Sequence, residues 1–354
     1  MDSGWQRVLV PAIGLVSALA CGGQTARPPA SGEAAYLADI RQLTVGGQNA
    51  EAYWSGDDAW IVFQATPDSL ACDQIFTMRA DGSETRMVST GAGVTTCAYA
   101  FPAGDRLLYA STHLAGAACP ARPDHSRGYV WGLHPGYDIF TARPDGSGLV
   151  RLTDTPGYDA EATVSRDGRR IVFTSVRDGD LELYVMDADG GNVRRLTHQP
   201  GYDGGAFFSS DGSRIVYRAH HPAPGAEVDA YRALLADDLV RPTELEIWVM
   251  DADGSNPRPV TANGAANFAP FFFPDGERII FASNVADSLG RNFDLYTVGV
   301  DGAGMRRITF HPDFDAFPMF SSDGRELLWA SNRNQAKPGE TNVFRARWVE
   351  AGDQ

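Results

Sequence analysis

The sequence predicts an all-β protein, a six-bladed β-propeller with four-stranded blades and a ring closed by an N-terminal strand. Three observations predict it. A segment of roughly 40 residues recurs along the chain, the length one blade needs. Each copy sets short β-branched and aromatic runs between Asp-Gly turns, the strongest short hairpin signal. The last copy lacks its outer strand, and a spare one lies near the N-terminus.

The copies are clearest from Asp159 (DAEATVSRDGRRIVF), Asp203 (DGGAFFSSDGSRIVY), Asn267 (NFAPFFFPDGERIIF) and Asp315 (DAFPMFSSDGRELLW). Weaker ones start at Asn49 and Thr95, making six. In the Asp159 copy, strand A ends in the turn from Ser165 to Gly168, and strand B follows from Arg170 to Phe173. Strand C runs from Leu181 to Met186, a second turn spans Asp189 to Asn192, and strand D closes on Arg195-Leu196-Thr197. The turn aspartate after strand C recurs at 81, 145, 189, 253 and 301, at intervals of 64, 44, 64 and 48 residues. Two blades therefore carry inserts of roughly 20 residues beyond a plain blade. The spare Ile40-Arg41-Gln42-Leu43-Thr44 matches strand D and is expected to complete the sixth blade, removing an open sheet edge.

Before the repeats, residues 1–20 read as a signal peptide: Arg7, then the apolar run VLVPAIGLVSALA. Two processing outcomes stay open. Ala18-Leu19-Ala20 suits ordinary cleavage, and the small residue before Cys21 resembles a lipobox, which would lipidate Cys21. Residues 21–39 are Gly-, Pro- and Ala-rich, the composition of a tether, and the propeller is expected over 40–349. The expected location is periplasmic or cell-surface, on a lipid anchor or secreted, with no other contact with the membrane.

A formal net charge of −15 argues against nucleic-acid binding and leaves basic partners or none. No Cys-x-x-Cys pair is present, so structural zinc has no support. Three cysteines remain in the body: Cys72, Cys97 and Cys119. A Cys72–Cys97 or a Cys97–Cys119 disulfide is expected, in an oxidising compartment.

The recurring Ser-x-Asp-Gly, Tyr-Val-Met-Asp-x-Asp-Gly and Arg-Leu-Thr resemble the TolB family of WD40-like propeller repeats, over about residues 40–349. TolB carries an α/β domain before its propeller, where this chain has the leader and tether. The resemblance implies the fold and admits several functions. Similar repeats occur in prolyl-oligopeptidase-like peptidases, whose Gly-x-Ser-x-Gly elbow is absent from this sequence. They also occur in propeller lyases that use a metal.

Function is expected on one face. The long inserts, His113 to Gly136 and His220 to Thr243, both join strands B and C, as do shorter ones after Asn284 and Arg333. The opposite face has only short turns, and elaborated loops on a rigid scaffold concentrate binding residues. The second insert holds a helical stripe of Val228, Tyr231, Leu234 and Leu235. Asn49, Thr95, Asp159, Asp203, Asn267 and Asp315 share the position that opens strand A and are expected to ring the channel mouth, with Glu51 and Glu161 further in. Such a ring suits a hard cation such as calcium, or a basic peptide end; otherwise no cofactor is expected. His113, His125, Tyr129, Trp131, His134, His220 and His221 are the candidate contacts from the inserts. The leading expectation is a monomeric module that binds an envelope protein, peptide or glycan and has no catalytic residues. The alternatives are a metal-dependent lyase or hydrolase of an extracellular polymer, and a detached propeller serving a separate peptidase chain.

Overall fold

The structure, a computed structural model, describes residues 32–349 apart from 125 and 127. The leader, Cys21 and His125 lie outside the described residues. Six four-stranded antiparallel sheets follow one another in sequence order. The innermost A strands are Gln48–Trp54, Thr95–Ala100, Asp159–Val164, Tyr202–Phe208, Asn267–Phe272 and Asp315–Phe320. The ring closes as expected: Leu37–Gln42 pairs antiparallel with Asn342–Trp348, the third strand of blade six.

The recurring motifs each have a local task. In the A–B turn of blade three, Ser165 Oγ donates to Asp167 at 2.6 Å and accepts the Arg170 N–H, while Gly168 takes φ +72°. Ser55–Asp57, Ser209–Asp211 and Ser321–Asp323 repeat the hydroxyl–carboxylate bond. The threonine of Arg-Leu-Thr caps strand C of its own blade. Leu183 N–H donates to Thr197 Oγ1, and equivalent bonds reach Thr153, Thr261 and Thr309. Thr44, from the closing strand, receives Val343 N–H in the same way at 2.9 Å. The N-terminal segment thus supplies the whole strand-D chemistry of blade six.

Each A strand also carries a β-bulge, a register shift two to three residues after its start. The bulged residues are Glu51, Cys97, Glu161, Gly205, Ala269 and Phe317, with φ between +49° and +60°. Five are not glycine, and each holds a conformation that costs an L-residue roughly 1–2 kcal/mol. A bulge re-aims one side chain out of the sheet alternation, and here it turns that side chain toward the axis of the ring.

The inserts of blades two and four meet. Trp131–Gly132 pairs antiparallel with Leu239–Val240, a two-stranded strap. The helix Ala226–Leu235 packs beside it through buried Tyr231 and Leu234. Tyr231 Oη donates to Asp180 at 2.5 Å and lies 2.6 Å from Gly201 O, fixing the helix to the rim.

Candidate functional site

The channel is a blind funnel opening on the elaborated face. Its floor is an aromatic plug of A-strand residues two positions past the bulge. Tyr53 lies 5.5 Å from Tyr99 and 5.7 Å from Phe207, and Phe207 lies 5.4 Å from Phe271, ring centre to ring centre. Above the plug is a cavity of about 610 Å³.

The cavity has two unlike walls. Blades one to four supply Glu51, Gln64, Asp73, Thr96, Cys97, Glu161, Tyr202 and Arg218, with Trp131 of the strap above them. Glu161 is the centre of the polar wall. It accepts from the Arg218 guanidinium, from Gly205 N–H at 2.9 Å and from Thr174 Oγ1 at 2.8 Å. Arg218 also donates to Tyr202 Oη at 2.8 Å. Burial opposes the Arg218 charge, but Glu161 overrides it and holds the group above its ordinary value. Gly205 is required here: its φ is +60°, and a Cβ would occupy the place of the Arg218 guanidinium. Blades five and six supply Phe268, Phe293, Phe314 and Phe317, in mutual contact at 5.0 to 5.8 Å.

Glu51 sits between the walls. Burial pushes its carboxyl up to about 7; the neighbouring Cys97 thiol opposes this, and the Glu161 charge adds to it. Burial, then Glu51 and Glu161, push the Cys97 thiol well above its usual range, which keeps it protonated.

Of the expected site residues, Glu51, Glu161, Tyr129 and Trp131 line the funnel. Trp131 Nε1 donates to Tyr129 Oη at 3.1 Å, and the Arg218 guanidinium stacks over the indole at 5.3 Å.

The six residues that open the A strands are placed differently from the expectation. Asn49, Thr95, Asp159, Asp203, Asn267 and Asp315 are all buried and do not line the funnel. Side chains alternate along a strand, so the residue one earlier faces the mouth: Gln48, Tyr158, Tyr202, Ala266 and Phe314. The six lie instead in the seams between blades, where each backbone N–H donates to a carbonyl of the preceding blade. Asp159 bonds Arg177 at 3.0 Å, Asp203 bonds His221 at 3.0 Å, and Asp315 bonds Arg333 at 2.8 Å. Asn267 bonds Glu246 of the preceding blade at 3.1 Å, Asn49 bonds Asn342 at 3.3 Å, and Thr95 bonds Ser111 at 3.2 Å.

Among the described residues, the insert histidines do not converge. His113 Nδ1 is 3.0 Å from Ser111 Oγ, His220 faces Glu244 O, and burial holds His113 and His134 below their ordinary value. His221 is held by its seam carboxylate. Among the described residues, no three His, Cys, Asp or Glu side chains are grouped to hold a metal ion.

The disulfide also differs from both expected pairings. Cys72 bonds Cys119, Cα to Cα 5.9 Å and 47 residues apart, while Cys97 is free. The physical reason is the bulge: Cys97 faces the channel beside Thr96 and Glu51, whereas Cys72 lies in a B–C loop, where the first insert reaches it.

Sequence reasoning missed the phenylalanine wall, Arg218 and Tyr202. A usable signal existed for part of it. Tyr158, Tyr202 and Phe314 each precede a strand-opening acid, a repeat position that is aromatic in three blades.

With this geometry in view, residues 117–229 match the TolB beta propeller domain. No curated protein matches the chain in sequence. Among solved structures, TolB from Acinetobacter baumannii is 18% identical with a TM-score of 0.54, over 73% of this chain and 53% of that one. This chain therefore spans about half of that protein's length. A putative TolB from Agrobacterium tumefaciens is 18% identical with a TM-score of 0.55, over 86% and 91%. An oligogalacturonate lyase in complex with manganese is 14% identical with a TM-score of 0.54, over 88% and 80%. At these identities the likeness is one of fold.

Proposed function

We propose that this chain, a TolB-like β-propeller, is a binding module of the bacterial envelope whose blind funnel receives a protruding segment of a polypeptide partner. The single observation that carries the reading is the funnel: about 610 Å³, closed below by aromatic rings, with a fixed polar wall facing an apolar one. Cavities of this size with mostly apolar walls and a few placed polar groups are ligand sites. The Cys72–Cys119 disulfide supports an oxidising compartment, as does the apolar leader read in the sequence. The lyase reading lacks a converging donor set among the described residues. A glycan partner and a separate peptidase chain are further outcomes of the same test.

The test is a photo-crosslinking amino acid at Tyr129, 60% exposed at the mouth, in cells of a bacterial host that exports the protein. A discrete crosslinked polypeptide that disappears in Phe293→Ala/Phe314→Ala is expected. Crosslinking only from the turn face, for example at Arg166, would overturn the reading.

A further inference from the structure

Among the described residues, the funnel floor has more carboxyls than guanidinium groups, and Arg218 is already engaged. Among the described residues, the ionisable carboxyls lining it are Glu51, Asp73 and Glu161, against the Arg218 guanidinium, with the Arg122 charge acting on Asp73. Arg218 is committed to Glu161 and Tyr202. Asp73 accepts from Thr66 Oγ1. Among the described residues Glu51 forms no ion pair, and the neighbouring Cys97 thiol is a weak donor. A carboxyl placed in an apolar cavity is costly to ionise without an opposite charge.

We infer that the floor of the funnel binds an organic cation, an ammonium or guanidinium group carried on an apolar stem. Glu51 and Glu161 face the charge, and the wall of Phe268, Phe293, Phe314 and Phe317 receives the stem. Aromatic faces attract a cation as well as its carbon body, and desolvation in a closed funnel strengthens both contacts. The inference rests on the reading of the funnel as a binding site, and adds its ligand class.

A proton follows from the same chemistry. Groups facing Glu51 are Cys97 on blade two, Glu161 on blade three, Arg218 on blade four, and Tyr53, Asp73 and Tyr137 around the floor. With its carboxyl at about 7, Glu51 is half protonated near neutrality. A bound cation favours the carboxylate, so binding releases a proton and tightens as pH rises from 6 to 8.

The experiment is titration calorimetry of the mature protein with matched probes. One pair is phenethylamine and 2-phenylethanol. The other is an acetylated, amidated hexapeptide centred on Phe-Lys-Phe and its Phe-norleucine-Phe counterpart. In each pair that binds, the cation is expected to bind about tenfold tighter than its neutral partner, a difference that one desolvated charge contact supplies. Its heat should differ between phosphate and Tris buffers, reporting the released proton. The preference should vanish in Glu51→Gln, while the neutral probe binds as before. The wild-type comparison alone decides the matter if that variant does not fold. Binding of the amine marks a small-molecule source, and binding of the lysine peptide alone marks a polypeptide source. Equal affinity for the cationic and neutral members overturns the inference, and so does failure of all four probes. A Tyr129 crosslink that persists in either case shows that the binding reading itself still stands.

Discussion

The two halves of the funnel are built on one repeat but held in different ways. On blades one to four the wall is polar and tied down: the Cys72–Cys119 disulfide, the strap of Trp131–Gly132 on Leu239–Val240, and the Glu161–Arg218–Tyr202 cluster all lie there. On blades five and six the wall is four phenylalanine rings, with short loops above them. The first half has its polar groups oriented before any ligand arrives, and orientation in advance reduces what binding must order. The second offers area and little direction. Specificity should therefore be lost by disturbing the polar half, and affinity by trimming the aromatic half.

The largest expected effect breaks the polar half from within. Arg218→Met leaves Glu161 buried without its counter-charge; both side chains are nearly inaccessible, at 8% and 12% exposure. Removing one partner of such a pair destabilises by about 3–5 kcal/mol. Urea unfolding should show that loss, and Arg218→Met/Glu161→Gln should recover a large part of it. A double variant no more stable than the single one would mean that the ion pair is not what holds this wall.

Next in size is the tie across the rim. Cys72→Ser/Cys119→Ser opens a 47-residue loop, and the chain-entropy model gives about 4 kcal/mol for a loop of that length. Thermal unfolding should move down accordingly, and reduction of the wild-type protein should move it as far. No shift on reduction would show that the first insert is held by the strap alone.

The contrast between the halves also marks how far the sequence could be read. Blade number, strand order, turn residues and closure were legible because each recurs at a fixed place with a mechanism: Ser and Asp knit the A–B turn, and threonine caps strand C. The site was legible only in part. Asp159, Asp203 and Asp315 look like channel residues because they recur, yet they recur because every seam needs them. The bulge residues lack a common type, since Glu51, Cys97, Ala269 and Phe317 all take positive φ without a glycine to signal it. The strap joins segments more than 100 residues apart through two residues each, too short a run for periodicity to register.

A smaller effect on stability, and a larger one on binding, comes from the aromatic half. Phe293 and Phe314 are half-buried, so Phe293→Ala/Phe314→Ala forfeits only part of each ring's burial, about 2 kcal/mol in total. Binding of the neutral probe should fall at least as much as binding of the cation. If the cation alone were weakened, the two walls would not divide direction from contact area.

The smallest effect sharpens the comparison at one residue. The seam after blade three and the seam after blade five have the same plan, two acids and two bases. The second holds Asp294 with Arg307 and Asp315 with Arg333. The first holds Glu182 with Arg195 at 2.5 Å and Asp203 with His221. Histidine thus stands where blades three and six have arginine, 18 residues past the strand-opening acid. Burial acts to lower His221, but Asp203 overrides it and leaves the imidazole above its ordinary value. Burial pushes Glu182 up to about 7, and Asp203 is raised for the same reason. All three folded values are raised, so the stability they contribute is present at low pH and is lost as pH rises through them. Once the imidazole has lost its proton, two buried carboxylates have the Arg195 charge between them. Wild-type stability should therefore fall as pH rises through the Glu182 value of about 7. His221→Arg, a side chain the equivalent position accommodates in Arg177 and Arg333, should flatten that slope. The gain at pH 8 should be about 1 kcal/mol, or roughly 2 °C in Tm for a domain of this size. A variant whose stability falls as steeply as the wild type's would place the pH dependence elsewhere in the ring.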